Sequence, residues 1–327
     1  MRIYIVRLGA FGDQLVITPA IRKLKSQGHH LIVEYSDRGE AVLRHNPHID
    51  EHIFYKADSV QMQHLNQYWE DQKIKLKADR MINFTETIEH ALAVHPRSPR
   101  YNYPKWERKQ LCNRNYYEYA FEHVKLTWDT SEDLRPEIFL TDEETTKAKG
   151  LIRKDVFNVL VCFTGSGKHK AYPYIENVIG ELLLRKDIHV ITTGDLRCKL
   201  MEEDHPRMTC LSGEVDIRIS MALTGLVDLV LSPDTGILHA SGCYETPKIG
   251  LLGHTTIENI TKHFTNDLSL EANPLEAECA PCFRLIYNMK LQCPQHIQTG
   301  GAVCMASIDP NKVMEKINIV YRAWQQR

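Results

Sequence analysis

The chain has 327 residues, 43% of them hydrophobic and 25% charged, which is the composition of a folded globular protein and excludes a disordered, collagen-like or small disulfide-stapled one. That length exceeds what one hydrophobic core usually serves, so two domains of about 150 residues are expected, with one compact α/β domain as the alternative. Forty Lys and Arg against 42 Asp and Glu give a formal charge of -2, and no global field draws the protein onto nucleic acid or an anionic membrane. The opening MRIYIVRLGAFGD has an apolar run of only Ile3 to Val6, too short for a signal-peptide core, and no stretch approaches the 18 apolar residues of a membrane span. A cytoplasmic protein is expected, at most peripheral at the inner membrane face.

In chain order, IYIV at 3–6 reads as a buried strand closed by Gly9 and Gly12, and Leu15 to Leu24 has helical spacing with Thr18-Pro19 as its cap and first turn. A strand is expected at 31–35, a helix at 59–74, a strand at 80–84 and a helix from about 86. From Val94 to Arg114 the pattern decays into HPRSPRYNYPKWERKQLCNR, which reads as a functional loop or lid, before a helix near 115–125. A polar stretch at 129–136 marks the domain boundary and precedes a charged helix from Asp142. The second half repeats the alternation: strand 157–163, helix 173–184, strand 188–192, helix 196–203, a short strand near 209, helix 216–225 and strand 227–231. Strands alternating with helices imply an α/β fold of parallel sheets covered on both faces, here two doubly wound units in tandem. An amphipathic helix, Asp309 to Trp324, closes the chain.

Three strand-to-helix turns carry candidate chemistry, at the place where open α/β sheets bind ligands. In Arg7-Leu8-Gly9-Ala10-Phe11-Gly12-Asp13 the glycines permit close backbone approach and Asp13 offers a carboxylate, although the same spacing serves a plain helix cap. Thr164-Gly165-Ser166-Gly167-Lys168-His169-Lys170 combines exposed amides, hydroxyls and two lysines, which suit a diphosphate and equally a solvated turn. Ser232-Pro233-Asp234-Thr235-Gly236 would open a helix that attracts anions, with His239 one turn on. Neither glycine loop has the dinucleotide fingerprint, and Cys162 and His169 break a Walker loop. Sixteen histidines offer no H-E-x-x-H pair.

Arg7-Leu8-Gly9-x-x-Gly12-Asp13, Lys170-x-Tyr172-Pro173 and Asp234-Thr235-Gly236-x-x-His239, in this order across nearly the whole chain, resemble the heptosyltransferase-type glycosyltransferases of family 9. The resemblance implies a GT-B architecture: two Rossmann-like domains facing across a cleft, an acceptor domain at 1–135, a donor domain at 136–308, and a final helix, 309–327, returning to the N-terminal domain. It implies an inverting transfer of a sugar, heptose from ADP-heptose, from a nucleotide-sugar donor to an acceptor hydroxyl, with Asp13 as general base and Lys170 at the leaving diphosphate. Gly12, Thr164, Gly165, Ser166, Asp234, Thr235, Gly236 and His239 would bind the donor. No catalytic metal is required if these groups neutralise the diphosphate. Tyr172 stands where tryptophan is more usual, and Gly253-His254-Thr255 departs from the usual Gly-Pro-Thr.

The basic-aromatic segment with Arg97, Arg100, Lys105 and Trp106 suits an anionic or sugar acceptor, since rings stack on pyranose faces and guanidinium groups fork onto phosphates. It would equally suit an ordinary solvated loop, and it gives no strong nucleic-acid signal. Lipopolysaccharide core, another lipid-linked saccharide, a small glycan, a protein or a modified nucleic acid all remain open as acceptor. Cys279, Cys282, Cys293 and Cys304 form a C-x2-C-x10-C-x10-C pattern that admits a structural iron or zinc ion, free thiols or disulfides. The resemblance adds that protein-modifying members carry an iron-bound four-cysteine finger near this end. A non-catalytic glycan- or partner-binding protein on the same fold is the alternative reading.

Overall fold

A computed structural model describes residues 1–56, 59–85 and 87–327. The chain divides into two compact units: Met1–Ile88 with Tyr116–Phe139, and Glu89–Asn115 with Leu140–Arg327. The expected cut at 135 therefore differs from the packing at one segment. Residues Glu89–Asn115 leave the first unit and pack with the second.

In the first unit, β1 (Arg2–Val6), β2 (His30–Tyr35), β3 (Glu51–Phe54) and β4 (Arg80–Asn83) form a parallel sheet of order β3-β2-β1-β4. Ile3 to Val6 are fully buried, as a strand covered on both faces must be. The expected helix after Gly12 is broken into Phe11–Val16 and Thr18–Ser26. Thr18 hydrogen-bonds the Leu15 carbonyl and accepts from the Glu137 amide, so the break also anchors the returning strand of chain 116–139. Arg22 and Lys23 pair with Glu137 and Glu132 to complete that attachment. The helix expected at 59–74 appears as a short 3-10 turn and Leu65–Lys75. The one expected from about 86 appears as Thr87–Ala91, Glu86 lying outside the described residues.

The second unit holds six parallel strands: β5 (Phe157–Cys162), β6 (Ile188–Thr193), β7 (Met208–Cys210), β8 (Leu229–Pro233), β9 (Lys248–Leu252) and β10 (Leu270–Glu271), in the order β10-β9-β8-β5-β6-β7. Period-two alternation divides β5 between two cores. Phe157, Val159 and Val161 face one apolar cluster, and Leu160 and Cys162 the other. Helix Asp142–Lys149 starts where expected, on a capping box of Thr141 and Glu144, and Glu144 also pairs with the buried Arg218 at 2.5 Å.

The closing helix Pro310–Gln325 is amphipathic, as expected. Its apolar stripe, Val313, Met314, Ile317, Val320 and Tyr321, is buried in the first of those two clusters of the second unit. Tyr321 stands edge-on to Phe157 at 5.4 Å and hydrogen-bonds Asp187 at 2.6 Å. An amphipathic stripe demands such burial, and the second unit's core supplies it.

Candidate active site

Each sheet has one place where consecutive connections run in opposite directions, and there a crevice opens outside the carboxyl ends of the strands. In the first unit it lies between β1 and β4, and in the second between β5 and β8. All three motif loops leave from these four strands.

In the first unit, Gly9 has φ +151°, and a Cβ there would stand 2.7 Å from Asp13 Oδ2, so the turn requires glycine. Asp13 Oδ2 accepts the Ala10 amide at 2.7 Å, and Oδ1 lies 3.0 Å from Arg7, whose side chain is fully buried. Arg7 also donates to the Phe84 carbonyl at 2.6 Å, while the Leu8 amide donates to Thr85 Oγ1, tying the loop after β1 to the end of β4. Gly12 lies in the first turn of helix Phe11–Val16, beside Asp13. Asp13 is thus both helix cap and oriented carboxylate.

In the second unit the loops after β5 and β8 close on each other. Lys170 Nζ donates to the Asp234 carbonyl at 2.8 Å and to Oδ2 at 3.2 Å, whereas Lys168 is exposed. A Cβ on Gly165 would stand 2.8 Å from the Thr235 methyl, so the glycine lets the two loops meet. Thr164 donates to the Gly167 carbonyl, Ser166 is exposed, and Thr235 caps helix Gly236–Ser241 by accepting the Ile237 and Leu238 amides. Tyr172 is buried and donates to the Ile308 carbonyl at 2.8 Å, a core role.

Asp234 is held from both sides. His239 Nε2 stands 3.6 Å from Oδ1, and His254 Nε2 stands 3.5 Å from Oδ2. Burial alone would raise this carboxyl, yet Lys170 and the two histidines hold it well below the usual carboxylate range. His254 and His169 meet edge-on at 5.1 Å. Burial, with Lys170 adding to it, pushes His254 down to about 4; burial, with His254 and Lys170 adding to it, pushes His169 down to about 2. From sequence, His169 stood only as a residue that breaks a Walker loop, and His254 was given no role because β9, which delivers it, was not foreseen. The one available signal was the departure from Gly-Pro-Thr.

These depressions predict acid lability. Their folded values lie below the ordinary 6.5, so as pH falls below that point the unfolded chain takes up protons that the folded one refuses. This contribution to stability is complete above pH 6.5 and is lost progressively as the pH falls toward 4. Thermal unfolding followed from pH 7 to 4.5 should show a falling melting temperature, with a shallower slope in His254→Leu.

The four clustered cysteines line one cavity of about 410 Å³ together with His169, His254 and Arg284. All nine cysteines are free, so no disulfide forms. Burial keeps the four as protonated thiols, Cys293 pushed up to about 12. Among the described residues no three His, Cys, Asp or Glu side chains are placed to hold a metal ion. The donor chemistry fits a thiolate-bound metal but the placement does not, and the expected iron or zinc staple lacks support.

Protein contacts order this segment instead. Val94 pairs with Phe283 and Leu285 through backbone hydrogen bonds, and Arg284 donates to the Tyr101 carbonyl and lies over its ring at 4.6 Å. The buried Arg108 donates to the carbonyls of Cys282 and Tyr103. Arg108→Ala orphans both carbonyls at a cost of about 2–3 kcal/mol. The melting temperature should drop by several degrees, whereas the exposed Lys109→Ala should leave it within about a degree. Of the residues expected at the acceptor, Arg97, Arg100 and Trp106 are exposed, while Lys105 donates to the Glu278 carbonyl at 2.7 Å.

A family model described as glycosyltransferase family 9 (heptosyltransferase) matches residues 115–291, just over half of the chain. The chain belongs to glycosyltransferase family 9. It is a glycosyltransferase, and the reading as a non-catalytic binding protein falls away. Among solved structures, a family 9 glycosyl transferase from Veillonella parvula is similar at 17% identity and TM-score 0.68, covering 98% of this chain and 96% of that one. ADP-heptose LPS heptosyltransferase II from E. coli is similar at 13% identity and TM-score 0.65, covering 99% and 100%. The iron-containing dodecameric glycosyltransferase TibC from enterotoxigenic E. coli is similar at 13% identity and TM-score 0.62, covering 99% of this chain and 77% of that one. These likenesses support the GT-B fold. No curated protein matches. Among the described residues no helix is long and apolar enough to cross a membrane.

Proposed function

We propose that this glycosyltransferase is an inverting heptosyltransferase that takes heptose from ADP-heptose. The observation that carries the reading is the Lys170–Asp234 pair beside Gly165, at the point where the second sheet changes direction. A half-buried ammonium held by a carboxylate, next to backbone that a glycine leaves bare, is built to meet the diphosphate of a nucleotide sugar. The Escherichia coli relative named for ADP-heptose supports that donor.

In the reaction, Asp13 takes the proton of an acceptor hydroxyl. The oxygen attacks the anomeric carbon as the bond from that carbon to the diphosphate oxygen breaks, and the nucleoside diphosphate leaves with the electron pair. A single displacement inverts the anomeric configuration. Lys170 and the Thr164–Gly167 loop would stabilise charge on the leaving group, an effect of about 3 kcal/mol per well-placed donor. Asp13, whose oxygens are engaged by Arg7 and Ala10, must turn one of them to the acceptor. The reading places the enzyme in the cytoplasm, with a hydroxyl of a glycan, a lipid-linked saccharide or a protein as acceptor.

Thermal-shift titration with ADP, UDP and GDP tests the donor. ADP should raise the melting temperature at the lowest concentration. A response to UDP alone would assign another nucleotide sugar.

A further inference from the structure

His254 is buried just past the end of β9, and its surroundings are built around it. Gly253 lets its loop lie against the cysteine segment, since a Cβ there would stand 2.6 Å from Met305 Sδ and 2.9 Å from Cys304 Sγ. The His254 carbonyl accepts the Phe283 amide at 2.9 Å, and the Phe283 carbonyl in turn accepts the Val94 amide at 2.7 Å. On the other side, Thr256 donates to Asn113 Oδ1 at 2.6 Å. Asn259 donates to the carbonyls of Cys112 and Arg114, and Asn115 donates to those of Glu258 and Asn259. Thr256, Asn259 and Asn115 are all buried. Segment 94–115 therefore holds the His254 loop through Phe283 at the histidine's own carbonyl and directly at residues 256–259.

The imidazole so held faces Asp234, His169 and, across the carboxylate, Lys170. Asp234 Oδ2 lies between His254 Nε2 at 3.5 Å and Lys170 Nζ at 3.2 Å. We infer that His254 is a positioning residue that fixes the Asp234 carboxylate against Lys170, and that segment 94–115 sets where His254 stands. The inference rests on the donor reading for its consequence, a site whose diphosphate-binding lysine is adjusted from the segment that carries Arg97, Arg100 and Trp106. The coupling itself is a property of the ligand-free protein. Two hydrogen-bonded routes, through Phe283 and through residues 256–259, fix the backbone that carries this one side chain.

The experiment has two arms. In ligand-free protein, hydrogen–deuterium exchange of Asn113→Ala should speed up at 253–259 and also at 234–238, two stretches linked through His254. In Asn113→Ala combined with His254→Leu, the substitution at 113 should no longer change exchange at 234–238 relative to His254→Leu alone. Exchange confined to 253–259, or an unchanged spread in the double variant, overturns the inference. In the second arm ADP is titrated calorimetrically. His254→Leu and Asn113→Ala should each weaken binding by about fivefold, and the double variant no more than His254→Leu, while His254→Gln, which keeps an N–H within reach, stays within about twofold. Additive losses overturn the inference. Failure of the wild-type protein to bind ADP refutes the donor reading alone, and the exchange arm then decides the coupling.

Discussion

Lys170→Ala should weaken ADP binding about 10–100-fold, because the substitution removes the charge-assisted bonds that a diphosphate would receive. It should also destabilise the fold. Asp234 is 7% exposed, and loss of the ammonium leaves it flanked only by His239 and His254, both buried. Breaking a buried pair at one partner costs about 3–5 kcal/mol, and the two imidazoles should hold the loss near the lower figure. The two effects separate in a second variant. Asp234→Asn combined with Lys170→Ala removes the orphaned charge, so the melting temperature should recover in part while ADP affinity stays low. Lys168→Ala, at an exposed lysine two residues away, should leave stability unchanged and affinity nearly so. Equal losses of affinity at 168 and 170 would move the diphosphate to another register of the loop.

Asp13→Asn should lower turnover by roughly 10²–10⁴-fold while ADP affinity stays within a few-fold of wild type. An amide keeps the shape and one acceptor for the Ala10 N–H, but it cannot take the acceptor's proton. Its NH₂ would also face the guanidinium of Arg7, which is fully buried and loses its counter-charge. Some loss of stability, about 1–3 kcal/mol, therefore accompanies the catalytic loss. Donor turnover measured well below the variant's melting temperature separates the two. Near wild-type turnover would remove Asp13 from the chemistry, and a parallel collapse of ADP affinity would make it part of donor binding instead.

Two features were read from local sequence alone because each is a short-range rule. Uninterrupted apolar runs such as IYIV and VDLVL can be buried only as central parallel strands, and the small or acidic residues directly after them, Gly9, Asp13, Gly165 and Asp234, fall where such strands end. The α/β class, the tandem units and the three candidate loops followed from this. The elements that escaped carry a weaker signal. The edge strand β3, EHIF, alternates half-buried and exposed residues, β10 is two residues long, and in β9, KIGLL, Lys248 and Gly250 interrupt an otherwise apolar pattern.

What only the tertiary structure decided is which distant residues meet. Nothing local to Lys170 shows that its partner is Asp234, 64 positions on, because that contact exists only once β5 and β8 lie side by side. The route of Glu89–Asn115 into the second unit is equally silent in sequence: its basic and aromatic residues look solvated, and their hydrogen-bond partners are main-chain carbonyls, which carry no sequence identity. The closing helix shows the same limit. Its apolar stripe demands burial against some surface, but a stripe specifies an area and not an address, and the second sheet was near enough to supply it.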